Sequence, residues 1–344
     1  MRDLPKVDVV ILVARVGPDQ YDAPDAGVVA PAGKTLAESL LSAIGATTRE
    51  DKRSPVNEAT LLSLRHQGVA GKTLWVARDE TGELAGFALA DIELGGPGAG
   101  SEGPVEVNLV VVPKARRGGV GRALAEAVLE AFADVPVTAW SHGNHPGAAR
   151  LAETLGLERV RDLWVMRRPL SPEHPLPEIA PSGGIVVRPF RPGQDEDAFL
   201  ALNAEAFAGH PEQGAMTRAD LDQRMAEPWF DPAGFFLAEP EDVPGREANE
   251  AVESPSLLGF HWTKVHQDQD PPVGEVYVVG VSPAAQGRGL GKLLTLAGLH
   301  YLQGRGLREV ILYVEAENRP AIAVYSGLGF THADEDTDVQ YSRR

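Results

Sequence analysis

Two short stretches of the chain carry residue types and spacings suited to chemistry. Gln286-Gly-Arg-Gly289-Leu-Gly291 and Arg116-Arg-Gly-Gly119-Val-Gly121 share the pattern [QR]-x-x-G-x-G, 170 positions apart (291 minus 121). Each follows a β-branched run and a proline, and each precedes a helical pattern. A strand that feeds a glycine-rich turn into a helix N-terminus makes an anion site. Glycine lets the backbone approach closely, and free N–H groups and the helix dipole face the anion. The spacing is not that of the dinucleotide fingerprint, G-x-G-x-x-G. One such turn is weak evidence; its copy raises the signal. Cations gather at both turns: Arg288 and Lys292 at one, Lys114, Arg116, Arg117 and Arg122 at the other. In a chain of formal net charge −17 they would supply the local positive potential that a polyanion needs.

The elements that must hold these turns follow from pattern. Residues 275–282 are rich in β-branched side chains and read as a strand, and apolar residues at 290, 293, 294, 297 and 301 read as a helix over 290–303. The first copy has a strand over 105–112 and a helix over 120–133. Before it come a helix over 54–66, capped by Ser54, and a hairpin of strands 73–78 and 83–92. After it come a strand over 136–140 and a helix over 146–155. Residues 95–104 read as a flexible loop. The second copy is preceded by a strand at 185–190, helices over 195–207 and 217–227, and strands over 234–238 and 257–265. Residues 239–256 form an acidic insert. It is followed by a strand at 310–315, a helix at 319–328 and a last strand at 339–342. Helices on the faces of a mixed sheet give an α/β class. Five prolines between 167 and 184 suggest an extended linker. The expected division is an N-terminal extension of unassigned role (1–45), a first domain (46–168), a linker (169–184) and a second domain (185–344).

With 344 residues and 43% hydrophobic content the chain can form ordinary cores in two or three domains. Its acidity argues against nucleic-acid binding. No run is long enough to span a membrane, and residues 7–16 make a poor signal peptide. The absence of cysteine rules out disulfides and thiol nucleophiles and fits a cytoplasmic protein. The nine histidines show no metal-ligand spacing. His142 and His145 lie close together in a stretch that reads as a loop, and no metal is expected.

The turn motif resembles the acetyl-CoA motif of the GCN5-related N-acetyltransferases (GNAT), so the repeat implies two tandem GNAT acetyltransferase domains. Within that superfamily the second half is similar to the mycothiol synthase family. The likeness is carried by Phe207-Ala-Gly-His-Pro-Glu-Gln-Gly214, Trp229-Phe-Asp-Pro232, Gly259-Phe-His-Trp-Thr-Lys264 and Glu275-Val-Tyr-Val-Val-Gly-Val281. It runs from about residue 46 to the end and is looser in the first half. It implies transfer of acetyl from acetyl-CoA to the cysteinyl amine of cysteinyl-glucosaminyl-inositol. It implies further that Val279, Gly280, Val281, Gln286, Gly287, Arg288, Gly289, Leu290, Gly291 and Lys292, with Asn318, Arg319 and Ala321, hold acetyl-CoA in the second unit. Val110, Val111, Arg116, Arg117, Gly119 and Gly121 would form the first unit's coenzyme site. Glu58, Glu212, Lys264, Glu275 and Tyr313 match positions that contact the amine. The resemblance also implies a small-molecule substrate, no nucleic-acid or membrane partner, and a first unit that does not catalyse; a monomer is expected.

The chemistry sets the roles. An α-amino group has a pKa of about 7.7–8.0, so near neutral pH much of it is already the attacking free amine. A carboxylate at about 4.3 is a poor acceptor unless burial raises it. Glu275 therefore acts through a water or binds the ammonium. Glu212, in a loop, would bind hydroxyls or the ammonium. By the resemblance Tyr325 lies near the thioester sulfur. Proton transfer from a phenol at about 10 to a thiolate at about 8.5 is uphill by about 2 kcal/mol, so a hydrogen bond to the leaving thiolate is as reasonable as full transfer. Counting back from Gly121 and Gly291 sets Val105 against Glu275; counting back from Gly156 and Gly329 sets Ala152 against Tyr325. Neither Val105 nor Ala152 moves a proton, so catalysis is expected in the second unit alone. Two other readings stay open: an acetyltransferase for another amine (an antibiotic, a polyamine or a peptide terminus), and a non-catalytic acetyl-CoA-binding protein.

Overall fold

A computed structural model describes residues 12–17, 20–21, 35–91, 104–179, 183–209, 211–241, 257–267 and 269–344. Residues 95–103 of the loop expected at 95–104, and 242–256 of the insert expected at 239–256, lie outside them. The chain forms two units, residues 1–162 with 337–344, and residues 163–336.

The first unit contains β1 (Leu12–Val16), α1 (Leu36–Asp51), α2 (Glu58–His66), β2 (Lys72–Arg78), β3 (Leu84–Asp91), β4 (Val105–Val111), α3 (Val120–Ala131), β5 (Val137–Ser141) and α4 (Pro146–Thr154). Strands β1 to β4 form an antiparallel ladder and β5 joins β4 in parallel. Position 46 falls within α1. Thr35 and Glu38 close a capping box at its start, and Leu36, Leu40, Ala43, Ile44 and Thr47 bury its apolar stripe. The cap of α2 is Asn57 rather than Ser54; its side chain accepts from the N–H of Thr60 at 2.8 Å, and Ser54 bonds the Val56 backbone instead. Leu74, Val76, Phe87, Leu89 and Val110 pack under α1 and α2, while Trp75, Ala88, Val105 and Val107 pack against Leu124 of α3.

Sequence order alone places residues 337–344 in the second domain. By contacts they join the first unit, because Val339 to Arg343, the end of β12 (Thr331–Arg343), pair antiparallel with β5. Asp338 fixes this segment. It is 2% exposed and accepts from Arg53 Nη1 (2.7 Å), the Gly143 N–H (2.8 Å) and the His142 ring (Nδ1, 2.7 Å). Burial pushes its carboxyl up, but the His142 hydrogen bond and the charges of His142 and Arg53 outweigh that and hold it below the ordinary carboxylate range. Asp338→Asn removes the buried carboxylate on which Arg53, His142 and the Gly143 N–H converge and should cost about 3 kcal/mol of first-unit stability, read by urea denaturation. An unchanged midpoint would mean that β12 is held by its ladder alone.

The second unit takes the part of β6 (Glu158–Pro169) from residue 163 onward. It continues with β7 (Ile185–Pro189), α5 (Glu196–Ala206), α6 (Pro211–Gly214), α7 (Arg218–Met225), β8 (Phe235–Pro240), β9 (Gly259–His266), β10 (Val273–Val281), α8 (Leu290–Gly304), β11 (Glu309–Glu315) and α9 (Arg319–Gly327). Strands β7 to β10 are antiparallel neighbours, β11 joins β10 in parallel, and β6 pairs antiparallel with β11. The expected linker thus begins inside a strand. Phe199 of α5 packs on Phe235, Phe260 and Trp262 in the core.

His261 lies fully buried against α8, where its Nδ1–H donates to the Leu294 carbonyl at 2.7 Å. A Cβ at Gly298 would meet its ring, so the glycine lets the helix approach. Burial pushes the imidazole down to about 4. The folded pKa is depressed, so the contribution to stability is complete above about 6.5 and is lost as pH falls toward 4, by about 3 kcal/mol. Urea midpoints of the full chain at pH 7.5 and 4.5 measure this loss, and His261→Gln should flatten it.

Candidate functional site

Both glycine turns have the geometry expected of them. After β10 a single 3-10 turn (Pro283–Ala285) leads through Gly287 (φ +76°) and Gly289 (φ +77°) into α8. Gly289 is the N-cap and no side chain caps the helix, so its first N–H groups remain available. A Cβ at Gly287, Gly289 or Gly291 would meet nothing within 4 Å. Arg288 and Lys292 are exposed, and among the described residues neither has a carboxylate partner. Leu290 buries its side chain and offers only its backbone. Open space over uncapped amides, flanked by two unpaired cations, can hold a pyrophosphate.

The first turn repeats the backbone and differs in charge. Arg117 (φ +63°) and Gly119 (φ +89°) take the left-handed positions of Gly287 and Gly289, and Gly119 caps α3 without a side-chain bond. Three of its four cations are already neutralised. Arg116 forks onto Asp51 (2.7 and 2.6 Å), Lys114 pairs with Glu83, and Arg122 with Glu126 (2.8 Å). Only Arg117 of these four lacks a carboxylate partner among the described residues. Val110 lies in the core and Val111 faces α3, so both offer backbone alone.

An open strand edge adjoins the second turn. β10 pairs with β11 only at Gly274, Glu275 and Val276, opposite Val310, Ile311 and Leu312. Tyr313, Val314 and Glu315 pair on their other side with Val165, Trp164 and Leu163. From Val278 to Val281 the side of β10 toward β11 can therefore take an extended chain of amides. Gly280 has a structural reason to be glycine: a Cβ there would lie 2.5 Å from the Phe260 ring. A register shift between Val276 and Val278 puts a β-bulge at the head of this edge. At the far side Asn318 caps α9, its side chain accepting from Ala321 N–H at 3.2 Å, with Arg319 in the first turn.

The two candidate catalytic side chains reach the gap from opposite faces. Val276 packs with Leu328, Phe330 and the partly buried Tyr325 on the α8/α9 side; Glu275, its neighbour, points to the other face. Glu275 is 5% exposed and accepts from His266 Nε2 at 2.6 Å. Its cross-strand neighbour is Lys264, whose ammonium lies over Trp229 (4.7 Å) and Tyr277 (5.2 Å). Burial raises the Glu275 carboxyl, but the His266 hydrogen bond and the charges of His266 and Lys264 bring it below the ordinary value. It therefore stays a carboxylate, as binding an ammonium or orienting a water requires. Burial pushes the Tyr325 phenol up to about 12, so it stays a neutral donor. Tyr313 is 41% exposed on β11, and it shares the Glu275 face by strand alternation. The Glu212 side chain lies outside what is described, in a segment that forms α6 rather than a loop. Glu58 opens α2 in the first unit.

His266 was not anticipated from sequence; its signal is the period of two that places it beside Lys264 on the Glu275 face. A second correction concerns Val105. The bulge adds one residue to β10 that β4 lacks, so the pairing aligns Glu106/Thr138 with Glu275/Ile311. The first unit thus has a carboxylate, Glu106, at the corresponding place, and it accepts from Asn57 Nδ2 at 3.0 Å. At the other residue the sequence alignment stands. Leu157 N–H donates to the Ala152 carbonyl (2.9 Å) as Phe330 N–H does to that of Tyr325 (3.0 Å), so Ala152 occupies the tyrosine's place.

Among the described residues no group of three or more His, Cys, Asp or Glu side chains could hold a metal ion, and no helix is long and apolar enough to cross a membrane. A model of the acetyltransferase (GNAT) family matches residues 41–157 and 201–330. A mycothiol acetyltransferase from a Nocardioides species is 48% identical over 320 residues, covering 89% of this chain and 99% of its own. One from Salinispora arenicola is 48% identical over 329 residues, covering 94% and 95%. Among solved structures, a tandem GNAT protein from the clavulanic acid biosynthesis pathway aligns with a TM-score of 0.65 at 21% identity, covering 97% of this chain and 98% of its own.

Proposed function

Because the chain belongs to the acetyltransferase (GNAT) family, we propose that it transfers acetyl from acetyl-CoA to the cysteinyl amine of cysteinyl-glucosaminyl-inositol, the closing step of mycothiol synthesis. The shared name of relatives at 48% identity over most of the chain supports the acceptor. The carrying observation is the second unit's arrangement: an uncapped Gly289 turn, an open β10 edge, and Glu275 and Tyr325 on opposite faces of the gap.

The turn amides, Arg288 and Lys292 hold the coenzyme phosphates, and the β10 edge holds the pantetheine chain. The amine approaches on the Glu275 face, where Tyr313 and the Lys264 group also lie. Glu275 remains ionised and binds the ammonium, or a water that carries its proton away. The free amine then attacks the thioester carbonyl; the C–N bond forms and the C–S bond breaks. Tyr325 meets the departing thiolate with a hydrogen bond or its proton. No step asks for a metal. Glu212 adds contacts to the acceptor's hydroxyls, and the enzyme works as a cytoplasmic monomer.

The test is coenzyme A release by purified protein with a panel of amines. Cysteinyl-glucosaminyl-inositol should have a kcat/KM at least about 10²-fold above that of a polyamine, an aminoglycoside or a peptide terminus, since buried polar groups reject acceptors that leave them unpaired. A polyamine or antibiotic that wins this comparison would overturn the acceptor. Tight coenzyme binding without turnover on any amine would overturn the enzyme reading.

A further inference from the structure

Between α3 and α4 the first unit holds an apolar cavity of about 120 Å³. Its walls include Leu109, Val128, Leu151, Ala152, Leu155 and Leu157. Two of these mark its origin. Ala152 and Leu157 occupy the places of Tyr325 and Phe330, by the matching hydrogen bonds at the ends of α4 and α9. In the second unit those two rings pack edge to face, with centroids 5.9 Å apart. Where the second unit has a phenol and a benzyl group the first has a methyl and an isobutyl group, and the cavity opens beside them.

The cavity also adjoins the first glycine turn. A Cβ built on Gly121 would lie 3.7 Å from Leu151 and 3.9 Å from Leu109, both cavity walls. The strand beside it is open as in the second unit, since β4 pairs with β5 only at Val105, Glu106 and Val107. A ligand lying along that edge from the turn would bring its far end to the cavity. Apolar cavities of roughly this size stay dry and accept apolar guests.

We propose that the first unit is a binding site for an acyl-CoA whose acyl group is larger than acetyl, with the acyl chain in the cavity beside Ala152. The proposal rests on the reading of the Gly119 turn as a coenzyme site. An acetyl methyl would leave most of the cavity empty, whereas a four- to six-carbon chain would bury its methylenes there. Without the phenol to assist the thiolate, the bound thioester is held rather than turned over.

The experiment uses the full chain carrying Gly289→Glu to silence the second site, with acetyl-CoA, butyryl-CoA and hexanoyl-CoA titrated by calorimetry. Hexanoyl-CoA should bind at least about tenfold more tightly than acetyl-CoA, as expected when two or more of its four additional methylenes leave water. Ala152→Tyr should erase that difference while acetyl-CoA affinity stays within about twofold. Leu157→Phe is the second cavity-filling variant if Ala152→Tyr does not fold, and it should erase the difference in the same way. Equal affinities for all three esters, or a preference that survives cavity filling, would overturn the acyl assignment while leaving the turn a coenzyme site. If no ester binds the Gly289→Glu protein, the reading of the first turn fails and the acyl assignment fails with it.

Discussion

Replacing Glu275 with Gln and Tyr325 with Phe in one chain should lower kcat by about 10²-fold or more while the fold persists. That is the low end of what lost proton-transfer help costs. Both substitutions are nearly isosteric, and each removes one function. Phe keeps the packing of Tyr325 against Phe330 and loses only the hydroxyl that meets the thiolate. Gln keeps a hydrogen bond to His266 and loses the charge that holds an ammonium or orients a water. The signatures should differ. Tyr325→Phe should lower kcat with little change in KM, because a neutral phenol acts on the leaving group. Glu275→Gln should also raise the KM of the amine, because a carboxylate kept ionised below the ordinary range binds the ammonium form. His266→Gln should resemble a weaker Glu275→Gln, since it removes the group that keeps Glu275 ionised. Retained turnover in the double variant would move the chemistry away from this pair.

The glycine turns were legible in the sequence because their requirements are local. A strand, a proline and glycines at left-handed positions leave few alternatives, and even Arg117 adopts the conformation its spacing demands. The role of the bulge was not legible. Nothing in Val276-Tyr277-Val278 announces an extra residue, yet that residue moves the partner of Glu275 from Val105 to Glu106. Counting along a strand fails where the partner ladder slips, and the slip is set by tertiary pairing. β6 was hidden for a related reason. Arg167 and Arg168 precede a proline-rich run and look like the start of a linker. In the fold Arg168 is 3% exposed and donates to the carbonyls of Leu328 (2.6 Å), His174 (3.2 Å) and Pro175 (3.1 Å). Burial of a satisfied arginine has no local signature. The cations of the first turn show the same limit: their clustering was visible, and their neutralisation by Asp51, Glu83 and Glu126 was not.

The other large effect separates the two turns. Gly289→Glu should weaken acetyl-CoA binding to the second unit by more than about 10²-fold and abolish turnover. Gly119→Glu should leave kcat within about twofold. A Cβ at Gly289 meets nothing within 4 Å, so the side chain would not disrupt the core; it would project into the open volume over the first amides of α8. There its carboxylate would repel the pyrophosphate and compete for those amides, close to the charges it opposes. Backbone strain needs its own control, because φ at Gly289 is +77° and a side chain there costs about 1–3 kcal/mol. Gly289→Asn supplies it: asparagine tolerates the left-handed region and carries no charge, so it should retain binding that the glutamate loses. If the asparagine variant loses as much, conformation rather than charge is responsible. Gly119→Glu introduces the same charge at a turn whose unit has Ala152 in place of the tyrosine. Its coenzyme affinity should fall, but no step of the reaction passes through it. Should Gly119→Glu stop turnover while Gly289→Glu spares it, the catalytic half is the first, with Glu106 as its carboxylate.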